Sequence, residues 1–165
     1  MKRGILIKLT KKPADLRACA RFMAGDGPWK VLGRDYKACL RAASAPMREV
    51  YAAREAGQAL GFIILQMTGT FRGYIQAVCV APEARGRGIG TMMISFAEER
   101  IFRESPNVFI CVSSFNRGAQ RLYRRLGYTK TGTLKDFIVK GYDEFLLRKT
   151  LGPLNEFTKR GKKVI

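Results

Sequence analysis

Histidine is absent from this sequence. Neither a Ser-His-Asp nor a Cys-His couple can therefore be assembled, and the commonest metal ligand is missing. Cysteine is sparse: Cys19, Cys39, Cys79 and Cys111 form no C-x-x-C pair and lack ligand spacing. Their neighbours are apolar or small, as in Val78-Cys79-Val80 and Ile110-Cys111-Val112. They are expected to be buried free thiols that behave as small hydrophobes, and no metal is expected. Long apolar runs are lacking too. The longest, around Leu60 to Leu65, is too short to cross a bilayer. After Met1-Lys2-Arg3 only Ile5-Leu6-Ile7 precede Lys8, so no secretory leader is expected. The expected setting is cytoplasmic, with no membrane contact. Acidic residues are scarce as well: 13, against 31 Lys and Arg, give a net charge of +18. Such an excess concerns partners rather than fold. It would attract nucleic acid, acidic peptides or a polyphosphorylated cofactor, and it suits a plain solvated surface equally.

What is present fits one domain. A chain of 165 residues, 47% hydrophobic, can bury a core unaided. Residues 5–9 alternate as a strand. Pro13 to Met23 carries Leu16, Cys19, Ala20 and Met23 at helical spacing, with Pro13 in the first turn. Residues 24–29, with two glycines and a proline, read as a loop, and a second helix is expected near 34–43. Strands follow at 48–54 and 60–68 around a turn at Glu55-Ala56-Gly57-Gln58, then at 74–80. A long helix spans 89–102 on an apolar stripe of Ile89, Met92, Met93 and Phe96. A strand at 108–112, a helix at 116–126 closed by Gly127, and strands at 128–134 and 142–149 complete the order. This mixture predicts an α+β fold, with helices on the faces of a mixed sheet.

Two segments carry the chemistry. In the first, Val78-Cys79-Val80 runs through Ala81-Pro82-Glu83-Ala84 into Arg85-Gly86-Arg87-Gly88-Ile89-Gly90-Thr91, where a helix begins. Amides at a helix start are unpaired, glycine allows close approach, and the helix dipole adds positive potential. The turn suits a pyrophosphate. It lacks the Gly-Lys-Ser/Thr of a Walker loop, and its G-x-G-x-G spacing departs from the dinucleotide fingerprint. In the second, Asn116 is placed to cap a helix on whose apolar stripe Tyr123 lies. On its own, Tyr123 reads as readily as a core aromatic.

Taken together and in this order, the segments resemble the GNAT superfamily of acyl-CoA-dependent N-acetyltransferases. Arg85, Gly88 and Gly90 match its Arg/Gln-x-x-Gly-x-Gly/Ala signature. Asn116, Ala119, Tyr123, Gly127 and Tyr128 match its Asn-x-x-Ala-x-x-x-Tyr-x-x-x-Gly-Phe/Tyr pattern. The resemblance implies a mostly antiparallel sheet of about seven strands flanked by about four helices. It implies an acetyltransferase domain over residues 1–152 and a basic tail over 153–165. It implies acetyl-CoA as co-substrate, an amine as acceptor, and a monomer or homodimer. Val78, Cys79 and Val80 would offer main-chain groups to the pantetheine arm, Arg85 to Thr91 would hold the pyrophosphate, and Asn116 would lie near the thiol end. Tyr123 would protonate the leaving thiolate as general acid.

The general base is open. Removing an amine proton at pH 7 costs roughly 4.6 kcal/mol for a lysine but only about 1 kcal/mol for an α-amine. Where many relatives place a glutamate, this chain has Gln76, which does not accept a proton usefully. Glu83, Asp136, Glu144 or a water chain are the candidates. Trp29, Tyr74, Gln76, Asp136 and Phe137 are candidates for the acceptor side. Two other readings stay open: a basic nucleic-acid-binding module, which the tail Lys159-Arg160-Gly161-Lys162-Lys163 favours, and a GNAT-like domain that binds acyl-CoA without transfer.

Overall fold

The computed structural model describes residues 4–158; the basic run at 159–163 lies outside them. A seven-stranded sheet is ordered β1-β2-β3-β4-β5-β7-β6. Its strands are β1 (Leu6–Leu9), β2 (Arg48–Glu55), β3 (Gln58–Gln66), β4 (Tyr74–Val80), β5 (Asn107–Ser113), β6 (Thr129–Val139) and β7 (Tyr142–Thr150). All neighbours are antiparallel except β4 and β5. Five helices, one more than the motifs imply, flank it: α1 (Pro13–Gly25), α2 (Gly27–Val31), α3 (Tyr36–Ser44), α4 (Ile89–Ile101) and α5 (Arg117–Arg125).

Alternation along the strands feeds two cores. Phe62 and Ile64 of β3 and Val50 and Ala52 of β2 pack with Cys19, Ala20 and Met23 of α1 and Cys39 of α3. On the opposite face Ile63, Leu65, Val108, Ile110 and Val112 pack with Ile89, Met93, Ala97 and Ile101 of α4 and Tyr123 of α5. The extra helix α2 stands where a loop is expected. Asp26 accepts a hydrogen bond from Gly27 N (2.9 Å) and Pro28 occupies the first turn, so a cap and a preset φ outweigh the two glycines. β6 runs to Val139 rather than ending near Leu134, with its register broken between these residues.

The feature that positions everything else is the junction of β4 and β5. Only Tyr74↔Phe109 and Ile75↔Ile110 pair before the strands part. Along β3, Ile64 faces Ala77 while Leu65 faces Ile75, so Gln76 is the extra residue of a bulge. A bulge bends its strand. β4 stays with β3 as far as Val80↔Gly61, and β5 stays with β7 as far as Ser113↔Glu144. The two halves of the sheet therefore open into a V.

Candidate active site

The glycine turn lies at one end of the V. After a short 3-10 helix at Pro82–Ala84 the chain passes through Gly86 and Gly88, both left-handed with φ of 75° and 77°. A side chain would be strained at either position, and a Cβ built on either meets no atom within 4 Å. Gly88 caps α4 without a side-chain bond, and the first backbone bond back to it comes from Met92 N at 3.0 Å. The amides of residues 86–91 have no backbone acceptor among the described residues. Free amides, open space and a helix N-terminus together make an anion cradle. Flanking side chains brace it. Arg85 donates to Asp26 (2.9 Å) and to Val80 O (3.3 Å), and Arg87 donates to Glu55 (2.9 and 2.8 Å). Asp26 thereby ties the start of α2 to the turn.

The V continues into a cleft of about 410 Å³. The β4 edge that turns away from β3 beyond Ile75 has no strand partner, which leaves main-chain groups of residues 76–80 facing the opening. Val78 lines it; the Cys79 side chain does not, because its thiol is 2% exposed in the α1/α3 core and donates to Phe62 O (3.7 Å). From the far wall come Asn116 and Tyr123. Asn116 Oδ1 accepts from Ala119 N (3.1 Å), so the cap holds the side chain while its amide NH₂ stays free. Tyr123 is 8% exposed, and its hydroxyl makes no hydrogen bond with the described residues. Burial pushes this phenol up to about 12.

A polar row crosses the floor on the α1/α3 side. Tyr74 lies against the Cys111 thiol, and burial raises both groups. Next to them Glu144 of β7 is 3% exposed and accepts a hydrogen bond from Ser113 across the β5–β7 pair. Burial raises the Glu144 carboxyl above its ordinary value, and the Ser113 bond opposes this only in part. Gln76, on the bulge, presents a buried Oε1 with no partner among the described residues. Cys111 is half-buried rather than buried like the other three thiols, because β5 has lost its β4 neighbour at this point.

Trp29 of α2 and Phe137 of the β6–β7 hairpin form the rims. Asp136 does not line the cleft. It adopts φ 47° in the hairpin and accepts from Gly141 N (2.6 Å), so it shapes the turn. Glu83 is exposed in the 3-10 turn, away from the floor. Of the three acidic candidates, only Glu144 reaches the cleft. Arg34, Arg48, Gln66 and Ser113 also line it. The strand alternation that puts Arg48 in phase with Val50 and Ala52 carried that signal for Arg48.

Among the described residues no group of three or more potential ligands could hold a metal, and no helix is long and apolar enough to cross a membrane. The sheet, the glycine turn and the V define an acetyltransferase fold of the GNAT type. The profile of the acetyltransferase (GNAT) family matches residues 15–128, and the chain belongs to that family. An N-alpha-acetyltransferase MAK3 of Arabidopsis thaliana is 32% identical over 96 residues, 56% of this chain and 50% of that protein. An uncharacterized protein of Mycobacterium leprae is 28% identical over 151 residues, 85% of this chain and 39% of that protein. The chain thus spans half or less of the length of these curated relatives. A GNAT-family acetyltransferase structure from Desulfovibrio desulfuricans superposes with a TM-score of 0.74 at 17% identity, covering 90% of this chain and 100% of that one.

Proposed function

We propose that this protein transfers the acetyl group of acetyl-CoA to the α-amine of a peptide, by direct attack in a ternary complex. One juxtaposition carries the reading. Unpaired main-chain amides at residues 86–91 follow the end of β4, and a buried phenol, Tyr123, and a buried carboxylate, Glu144, line the cleft between the parted strands.

The residues present fit coenzyme A. Amides of Gly86 to Thr91 would take the pyrophosphate, the free edge of Gln76 to Val80 would pair with the pantetheine amides, and the Asn116 NH₂ would point toward the thiol end. The bound thioester supplies an activated acyl group. Glu144 takes a proton from the incoming ammonium. The neutral nitrogen attacks the carbonyl carbon, the C–N bond forms, and the C–S bond breaks. Main-chain donors of β4 stabilise the carbonyl oxygen as charge develops on it. Tyr123, fully protonated at working pH, donates to the departing sulfur. The acylated nitrogen sheds its second proton to water as the C–S bond breaks, water reprotonates the Tyr123 phenolate, and Glu144 returns its proton to solvent, so one proton is released per turnover.

An α-amine is favoured over a lysine because of the smaller deprotonation cost, which suits a single buried carboxylate as base. The MAK3 relative acts, by its name, on α-amines. The cleft is a trough with rims at Trp29 and Phe137, a shape that admits the end of a chain.

The test is thiol release from acetyl-CoA in the presence of peptides, lysine side-chain analogues, polyamines and aminoglycosides, with the acylated nitrogen located by mass spectrometry. Peptide α-amines should be turned over at least tenfold faster than the others at pH 7. Acetylation confined to side-chain or polyamine nitrogens overturns the reading.

A further inference from the structure

We infer that the cleft selects acceptor peptides carrying a carboxylate within their first three residues, and that Arg48 is the group that recognises it. The inference rests on the α-amine reading above and names the substrate class of the same site.

A straight cross-strand row leads away from the reacting end: Tyr74 of β4 faces Gln66 of β3, and Gln66 faces Arg48 of β2. All three line the cleft. Two strand spacings, about 10 Å, separate β4 from β2. A peptide advances about 3.3–3.6 Å per residue when extended, so a side chain from one of its first three residues reaches Arg48.

Most arginines among the described residues bridge no carboxylate; Arg48 differs from the rest of these in lying on the cleft with a buried donor that has no acceptor. Arg54, Arg85, Arg87 and Arg100 each bridge a carboxylate. Arg48 pairs with none among the described residues, and its Nε is buried without a hydrogen-bond acceptor. A buried charged donor left unmatched is costly unless a partner arrives. The cleft's own carboxylates are committed elsewhere: Asp26 to Arg85, and Glu144 to Ser113 on the far side of the V. Arg34 adds a second cation at the mouth. The site therefore asks for an amine and, about two strand spacings away, an anionic oxygen. That sequence matches a peptide with Asp or Glu near its start. A polyamine would instead set its second ammonium beside Arg48. The +18 net charge draws acidic chains toward the same opening.

Identical peptides with Glu, Gln or Lys at position 2 or 3 test this with the acetyl-CoA complex. Expected is a kcat/KM for Glu at least tenfold above Gln at one of these positions, with Lys lowest and the difference lying in KM. In Arg48→Gln the Glu-to-Gln ratio should fall to within twofold; in Arg48→Lys part of it should survive. Trp29, the only tryptophan and a cleft residue, reports peptide binding by fluorescence without turnover. Equal treatment of Glu and Gln peptides by the unmodified protein, or a ratio that persists in Arg48→Gln, overturns the inference and leaves the α-amine reading standing. Neither turnover nor a Trp29 response with any peptide overturns that reading, and this inference falls with it.

Discussion

Replacing Tyr123 by phenylalanine is expected to lower kcat by about 10²–10⁴-fold, the usual contribution of a positioned acid. Affinity for acetyl-CoA should stay within about twofold. The change is clean because only the hydroxyl leaves. The ring keeps its edge contact with Tyr128, at 5.9 Å between centroids, and its place in the core beside α4. No described residue loses a hydrogen bond, since the hydroxyl makes none with them. With the phenol raised to about 12, the unmodified enzyme should lose no activity to Tyr123 ionisation at any ordinary alkaline pH. Stopped-assay kinetics from pH 6 to 10, with acetyl-CoA binding measured by calorimetry, check both parts. An unchanged kcat would return Tyr123 to the role of a core aromatic.

Glu144→Gln is expected to move activity and stability in opposite directions. Glutamine is nearly isosteric and still accepts from Ser113, but it cannot take a proton. A loss of about 10²–10⁴-fold in kcat follows, and the acid limb that Glu144 contributes to the pH profile should vanish. Stability should rise. The folded state holds the Glu144 proton more tightly than the unfolded chain does, because burial raises this carboxyl. Between the unfolded and the folded pKa, the native chain therefore binds more protons. Its stability falls as pH climbs through that window and stays lower above it. Removing the charge removes this penalty, so thermal unfolding at pH 7 should move to higher temperature while below the window the two proteins converge. Such opposition is what a functional group kept at the fold's expense produces. A variant that lost activity and stability together would mark Glu144 as structural.

Legibility in the sequence follows the kind of interaction. Main-chain chemistry leaves local marks, so Gly86, Gly88 and the start of α4 could be read from the strand-turn-helix order, as could Asn116 at the head of α5. Strand phase is also a local property, and the two cores lie on the faces that alternation along β3 sets, Phe62 and Ile64 on one and Ile63 and Leu65 on the other. Lateral order is different. Nothing local states that β7 inserts between β5 and β6, yet that insertion sets Glu144 opposite Ser113. The row Arg48, Gln66, Tyr74 is likewise a fact of register across three strands. The bulge at Gln76, too, is a property of a strand pair. The helix α2 was legible in principle from Asp26 and Pro28, but two glycines argue for a loop when propensity alone is weighed.

Everything chemical here depends on the turn after β4 gripping linked phosphates through its backbone. Titrating isotopically labelled protein with coenzyme A while following its amide resonances tests this at each residue. The largest shifts should fall on Gly86 to Thr91, with a second group on Gln76 to Val80. Saturable binding that leaves the amides of residues 86–91 unmoved and perturbs another surface would contradict it.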